Sequence, residues 1–85
     1  MAKSRTEEFK ARDCEVITPN DSEDIEYISN GIYVGETGDL AVTLEKMDDG
    51  QSITFKDLAA GVIHPMRVKR VWDTNTTADD IIAVY

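Results

Sequence analysis

The six residues from Asp80 to Tyr85, D-I-I-A-V-Y, form an apolar run with no polar face. In a strand, alternate side chains point to opposite sides, so Ile81, Ala83 and Tyr85 would line one side and Ile82 and Val84 the other. Both sides then want cover. A chain of 85 residues buries only about 60% of its unfolded surface and can rarely cover two faces of its terminal strand. Neither a disulfide framework nor a metal cluster is visible to strengthen so small a core. Association with another copy or another protein is the remaining stabiliser. The expectation is a protein that works by assembly rather than by chemistry.

Upstream, from Cys14 onward, the hydrophobic period is two. Cys14 to Thr18 reads as a short strand closed by the turn formers Thr18-Pro19-Asn20-Asp21-Ser22. Gly31 to Gly35 is a strand bracketed by glycines. In the strand Leu40 to Leu44, the residues Leu40, Val42 and Leu44 face inward. Asp48-Asp49-Gly50 signals a hairpin, because glycine at the last position supplies the positive φ of a tight turn. The return strand is Gln51 to Phe55, with Ile53 and Phe55 inward. Another strand begins at Gly61, and Pro65 confines it to a sheet edge or bulge, since proline cannot donate to a ladder. Met66 to Trp72 reads as the longest strand, with Met66, Val68, Arg70 and Trp72 on one face and Arg67, Lys69 and Val71 on the other. Asp73 to Asp80 is a polar turn into the last strand. Six or seven short strands without a long helix make an all-β fold, a small antiparallel β-sandwich or barrel, the expected class.

Residues 1–13 mix both signs of charge, with Phe9 as their only large apolar group. They read as a flexible N-terminal arm ahead of a single β-domain over residues 14–85, and Phe9 could anchor that arm on a partner. The net charge of −8 opposes binding to nucleic acid or to an anionic membrane. Its excess is local: residues 20–49 carry nine acids against the single base Lys46. That stretch is either a solvated surface or a patch matched to a basic partner. Arg67, Lys69 and Arg70 stand out in so acidic a chain. They either pair with acids on adjoining strands or meet acids of the next subunit.

The single Cys14 cannot form an intramolecular bridge and reads as a small buried apolar residue. With no basic start and apolar middle of a signal peptide, synthesis in the cytoplasm is expected. No apolar run approaches the ~20 residues that cross a bilayer. His64 lacks an orienting partner in sequence, so no catalytic group is expected. Asp21-Ser22-Glu23-Asp24 lacks the alternating ligands of a calcium loop. Gly31, Gly35 and Gly38 have no following helix or Lys-Ser/Thr pair, which makes them turn glycines rather than a phosphate cradle. No cofactor or metal is expected.

Four blocks carry a resemblance. They are T-P-N-D-S-E-D-I (Thr18 to Ile25), G-I-Y-V-G-E-T-G-D-L-A-V-T-L (Gly31 to Leu44), I-T-F-K-D-L-A-A-G-V-I-H-P-M-R-V-K-R-V (Ile53 to Val71) and T-N-T-T-A-D-D-I-I-A-V-Y (Thr74 to Tyr85). Over residues 16–85 the chain resembles a family of small virion proteins of tailed bacteriophages and gene transfer agents, whose gene-transfer-agent member is the base of the head spike. The resemblance implies a non-enzymatic β-domain on the outer capsid surface, as a decoration (cement) protein or a spike or fibre base. Its implied partners are further copies of itself as a trimer or pentamer, the major capsid protein, and a spike or fibre protein, without nucleic acid or membrane. The charged N-terminal arm and His64 depart from the family's pattern. The expected contact residues are Phe9, Arg67, Lys69, Arg70, Trp72, Ile81, Ile82, Val84 and Tyr85. A host-surface or glycan-binding module using Tyr27, Tyr33 and Trp72 is the alternative, and a small enzyme built on His64 is a third.

Overall fold

The computed structural model describes residues 11–85. Phe9 and most of the arm expected over residues 1–13 lie outside the described residues. Seven strands follow in order: β1 (Cys14–Val16), β2 (Gly31–Glu36), β3 (Gly38–Leu44), β4 (Ile53–Leu58), β5 (Ile63–His64), β6 (Val68–Val71) and β7 (Asp79–Val84). All pairings are antiparallel, in a four-stranded sheet of order β1-β7-β2-β5 and a three-stranded sheet of order β4-β3-β6. The two sheets share one core. Ile32, Val34, Ile81 and Ala83 come to it from the first sheet, and Leu40, Val42, Leu58, Val68 and Val71 from the second. Of the two expected architectures the fold is therefore the sandwich.

The punctuation residues act largely as their chemistry requires. Gly50 turns the β3–β4 hairpin at φ +89°. Pro65 follows β5, which is an edge strand of only two residues. Gly35 and Gly38, expected to be turn glycines, are instead sites of close approach. A Cβ on Gly35 would lie 2.6 Å from the Cβ of Asp80, and one on Gly38 would lie 2.5 Å from the backbone nitrogen of Ala78.

Register corrects the expectation for Met66 to Trp72. The strand is only Val68–Val71, and the seven-residue β3 is the longest. Thr43 pairs with Arg70 but Leu44 with Val68, so Lys69 is an extra residue in a bulge. The bulge resets the alternation. Val68 and Val71, on opposite faces of a regular strand, both enter the core, while Lys69 and Arg70 are half-buried at its margin.

Three burial expectations also change. Cys14 is exposed, because β1 is an edge strand and Cys14 points away from the core. Ile53 pairs with the fully buried Val42 yet is 45% exposed. It sits on the outermost strand of its sheet, beyond the cover of the facing sheet. The final strand is not left waiting for cover: β7 is interior to its sheet, between β1 and β2, and Ile81, Ala83 and Val84 are buried within the chain. The Arg12 N–H donates to the Tyr85 carbonyl at 2.6 Å and the Tyr85 N–H to the Asp13 carbonyl at 2.8 Å, continuing the β1–β7 ladder past Cys14.

Candidate interaction surface

The segment between β1 and β2 crosses over the free edge of β6. Backbone N–H groups of Asn20, Ile25 and Ser29 donate to the carbonyls of Val71, Lys69 and Val68. The buried Ser29 hydroxyl accepts from the Val68 N–H and donates to the Met66 carbonyl, both at 3.1 Å. One edge of the three-stranded sheet is thereby sealed. Asp21 fastens the other end of this crossing. Its carboxylate accepts from the backbone of Asp73 and Thr74 and from the Thr74 hydroxyl. Hydrogen bonding from Thr74 holds the Asp21 carboxyl below its usual pKa.

The three clustered bases turn to acids of their own chain. Arg67 grips Glu45 through two guanidinium nitrogens at 2.9 and 3.2 Å and donates to the Asn30 side chain. This hydrogen bonding keeps the Glu45 carboxyl below its ordinary range. Lys69 meets Asp49 at 3.0 Å, and Arg70 meets Asp24 at 2.8 Å while lying 5.1 Å from the centre of the Trp72 ring. The Trp72 indole N–H donates to Thr43 Oγ1 at 2.8 Å, and that hydroxyl in turn donates to the Gln51 carbonyl. These side chains tie turns to strands within one molecule.

Of the other expected contact residues, Ile81 and Val84 are buried, and Ile82 and Tyr85 are half-buried. The Tyr85 ring meets Tyr27 edge to face, with centroids 6.0 Å apart. Its hydroxyl is tucked away without a partner among the described residues. Burial first, then the nearby carboxylates of Glu15, Glu26 and Asp13, push its pKa above the usual tyrosine range. Phe9 has no described position. His64 Nε2 lies 2.9 Å from the Ala59 carbonyl oxygen. Among the described residues, no group of three or more His, Cys, Asp or Glu side chains is arranged to hold a metal ion.

Among the described residues, apolar surface stays open in two places of note. One is a groove lined by Leu44, Phe55, Pro65 and Met66, with Glu45, Lys46 and Arg67 at its rim. The other lies on the outer face of the four-stranded sheet. Ladder pairing places Val16 opposite Ile82, Ile82 opposite Tyr33 and Tyr33 opposite Ile63. Their inward neighbours Ile32, Val34, Ile81 and Ala83 build the core, so this row points outward. Val16 is 75% exposed and Ile63 44%. Val16 and Ile63 escape a reading of the sequence as contacts, and Tyr33 enters it only as an aromatic of the glycan-binding alternative, because only strand order brings the three together.

No family model matches the chain, and no curated protein does. Among solved structures it is similar to a chain of the capsid of the native GTA particle computed with C5 symmetry. The TM-score is 0.76 and the sequence identity 32%, over 89% of this chain and 84% of that one.

Proposed function

The chain belongs to the same family as that protein of the native GTA capsid, and from this premise we propose that it is a non-enzymatic structural protein of a phage-like particle. It sits on the outer head surface as a small oligomer, a trimer or pentamer, and serves as a decoration protein or as the base of a spike or fibre. Kinship in both sequence and fold over most of each chain is the observation that carries this proposal.

The physical character of the chain agrees with such a role. A body this small leaves apolar side chains at its surface, and a particle offers neighbours that cover them. Contacts run through side chains that keep accessible surface, Ile82 and Tyr85 among them, and through Phe9 of the N-terminal arm. Arg67, half exposed beside Glu45, adds a charged rim. Trp72, Lys69 and Arg70 support these contacts from within, by fixing the turns that flank them.

The test is to purify particles from a strain carrying the gene and from a deletion strain. The chain is expected in the first at a constant copy number per head, on the outside of the shell by antibody labelling. Light scattering of the isolated protein should give a trimer or pentamer. Particles of full composition from which the chain is absent would overturn the proposal.

A further inference from the structure

Four outward side chains from four different strands line up in one row across the larger sheet: Val16 on β1, Ile82 on β7, Tyr33 on β2 and Ile63 on β5. At a strand spacing of about 4.8 Å the row is about 14 Å long. An outward sheet face in water ordinarily alternates to polar residues, so four apolar groups in register are not a solvated surface.

The charge around the row selects the occupant. At its β1 end, Val16 borders a cleft of about 330 Å³ that is also lined by Glu15, Glu23 and Glu26. On the row's own face, Asp80 stands two residues before Ile82 on β7, exposed and close over Gly35. None of these four carboxylates takes part in an ion pair among the described residues. Residues 11–85 carry fifteen acids against six bases. Four of those bases, Lys56, Arg67, Lys69 and Arg70, are held by acids of this chain. A second copy laid face to face on the row would bring carboxylates against carboxylates. A surface with apolar side chains framed by lysine or arginine would meet complementary charge at the β1 end and beside Ile82.

We propose that this outer sheet face, centred on the Val16–Ile82–Tyr33–Ile63 row, is the surface through which the protein docks on a protein of the particle whose contact is apolar with a basic frame. The inference rests on the virion role proposed above. The apolar row supplies the contact area, and the carboxylates at its β1 end and beside Ile82 set orientation and speed of encounter.

The test uses heads purified from a deletion strain and the full-length protein, with binding followed by co-sedimentation. Wild-type protein should bind, and more weakly as sodium chloride is raised. The double variants Val16→Glu/Ile63→Glu and Glu23→Lys/Glu26→Lys should each bind about tenfold or more weakly. Asp48→Lys, on the turn of the opposite sheet, should bind as wild type does. Should the glutamate variant melt early, Val16→Thr/Ile63→Thr keeps both side chains β-branched and uncharged and should show the same direction of loss.

Folded variants of both kinds that bind like wild type would overturn the docking face and leave the virion role standing. Wild-type protein that never sediments with heads would overturn the virion role as well. If the row variants instead dissociate an oligomer of the isolated protein while head binding persists, the occupant is a second copy and the proposal fails.

Discussion

Replacing Gly38 with alanine sets a methyl group against backbone on the far side of the sandwich. The new Cβ would lie 2.5 Å from Ala78 N and 2.8 Å from both Ala78 Cα and Thr77 C. None of these atoms belongs to a side chain that could swing aside, so the segment itself has to shift. Overpacking of this kind costs about 1–3 kcal/mol. The same segment is stitched to β3 at that point. The Thr77 and Ala78 N–H groups donate to the Asp39 carbonyl at 2.8 and 3.1 Å, and the Asp39 N–H donates to Thr77 Oγ1 at 2.9 Å. A shift that loosens one or two of these bonds adds about 1 kcal/mol each, for about 2–5 kcal/mol in all. A domain of this length holds about 4–13 kcal/mol of stability, so the loss is a large part of the whole. Gly50→Ala is the matched control. It has nothing within 4 Å to strike and only a φ of +89° to satisfy, which costs about 1–2 kcal/mol. Urea denaturation of both variants should show the larger fall in midpoint for Gly38→Ala. A fall no greater than that of Gly50→Ala would refute the close approach of β3 to the segment before β7.

Thr43→Val removes the hydroxyl that accepts from the Trp72 indole and donates to the Gln51 carbonyl; urea midpoints should register a loss of about 1–3 kcal/mol. Tyr85→Phe deletes a hydroxyl that has no partner among the described residues, and thermal melts should show unchanged stability or a gain of up to about 1 kcal/mol. Asp21 and Glu45 both have carboxyls held below their ordinary values of 3.8 and 4.5. Their stabilisation is fully present above those values and is lost as pH falls through the lower folded values. Acid titration of stability should therefore show a steeper decline below about pH 4 in wild type than in Asp21→Asn. Parallel curves would remove Asp21 from the account.

The sequence carried the class of the fold and much of its punctuation, because those depend on local chemistry. Gly50 ends a strand for reasons contained in three consecutive residues, and Pro65 bars a central strand by lacking an N–H. What it withheld depends on the partner strand. Lys69 is a bulge only because Thr43 and Leu44 on β3 fix the register around it. Gly35 and Gly38 are small because Asp80 and Ala78 pass close by, and nothing near them in sequence says so. The contact side chains were partly legible for the same reason. Ile82 stood out in an apolar run, whereas Val16, Tyr33 and Ile63 gain meaning only once β7 is known to lie between β1 and β2.

That placement of β7 also bears on the order in which the molecule comes into being. β1 and β2 have no pairing with each other; both are joined through β7, whose residues leave the ribosome after every other strand. The larger sheet therefore cannot close during synthesis of the first six strands. Contacts so distant along the chain also close slowly. Until then, the edges of β1 and β2 are open to strangers. A nascent or truncated form stopping short of Asp79 is thus expected to aggregate rather than to linger as a smaller working version.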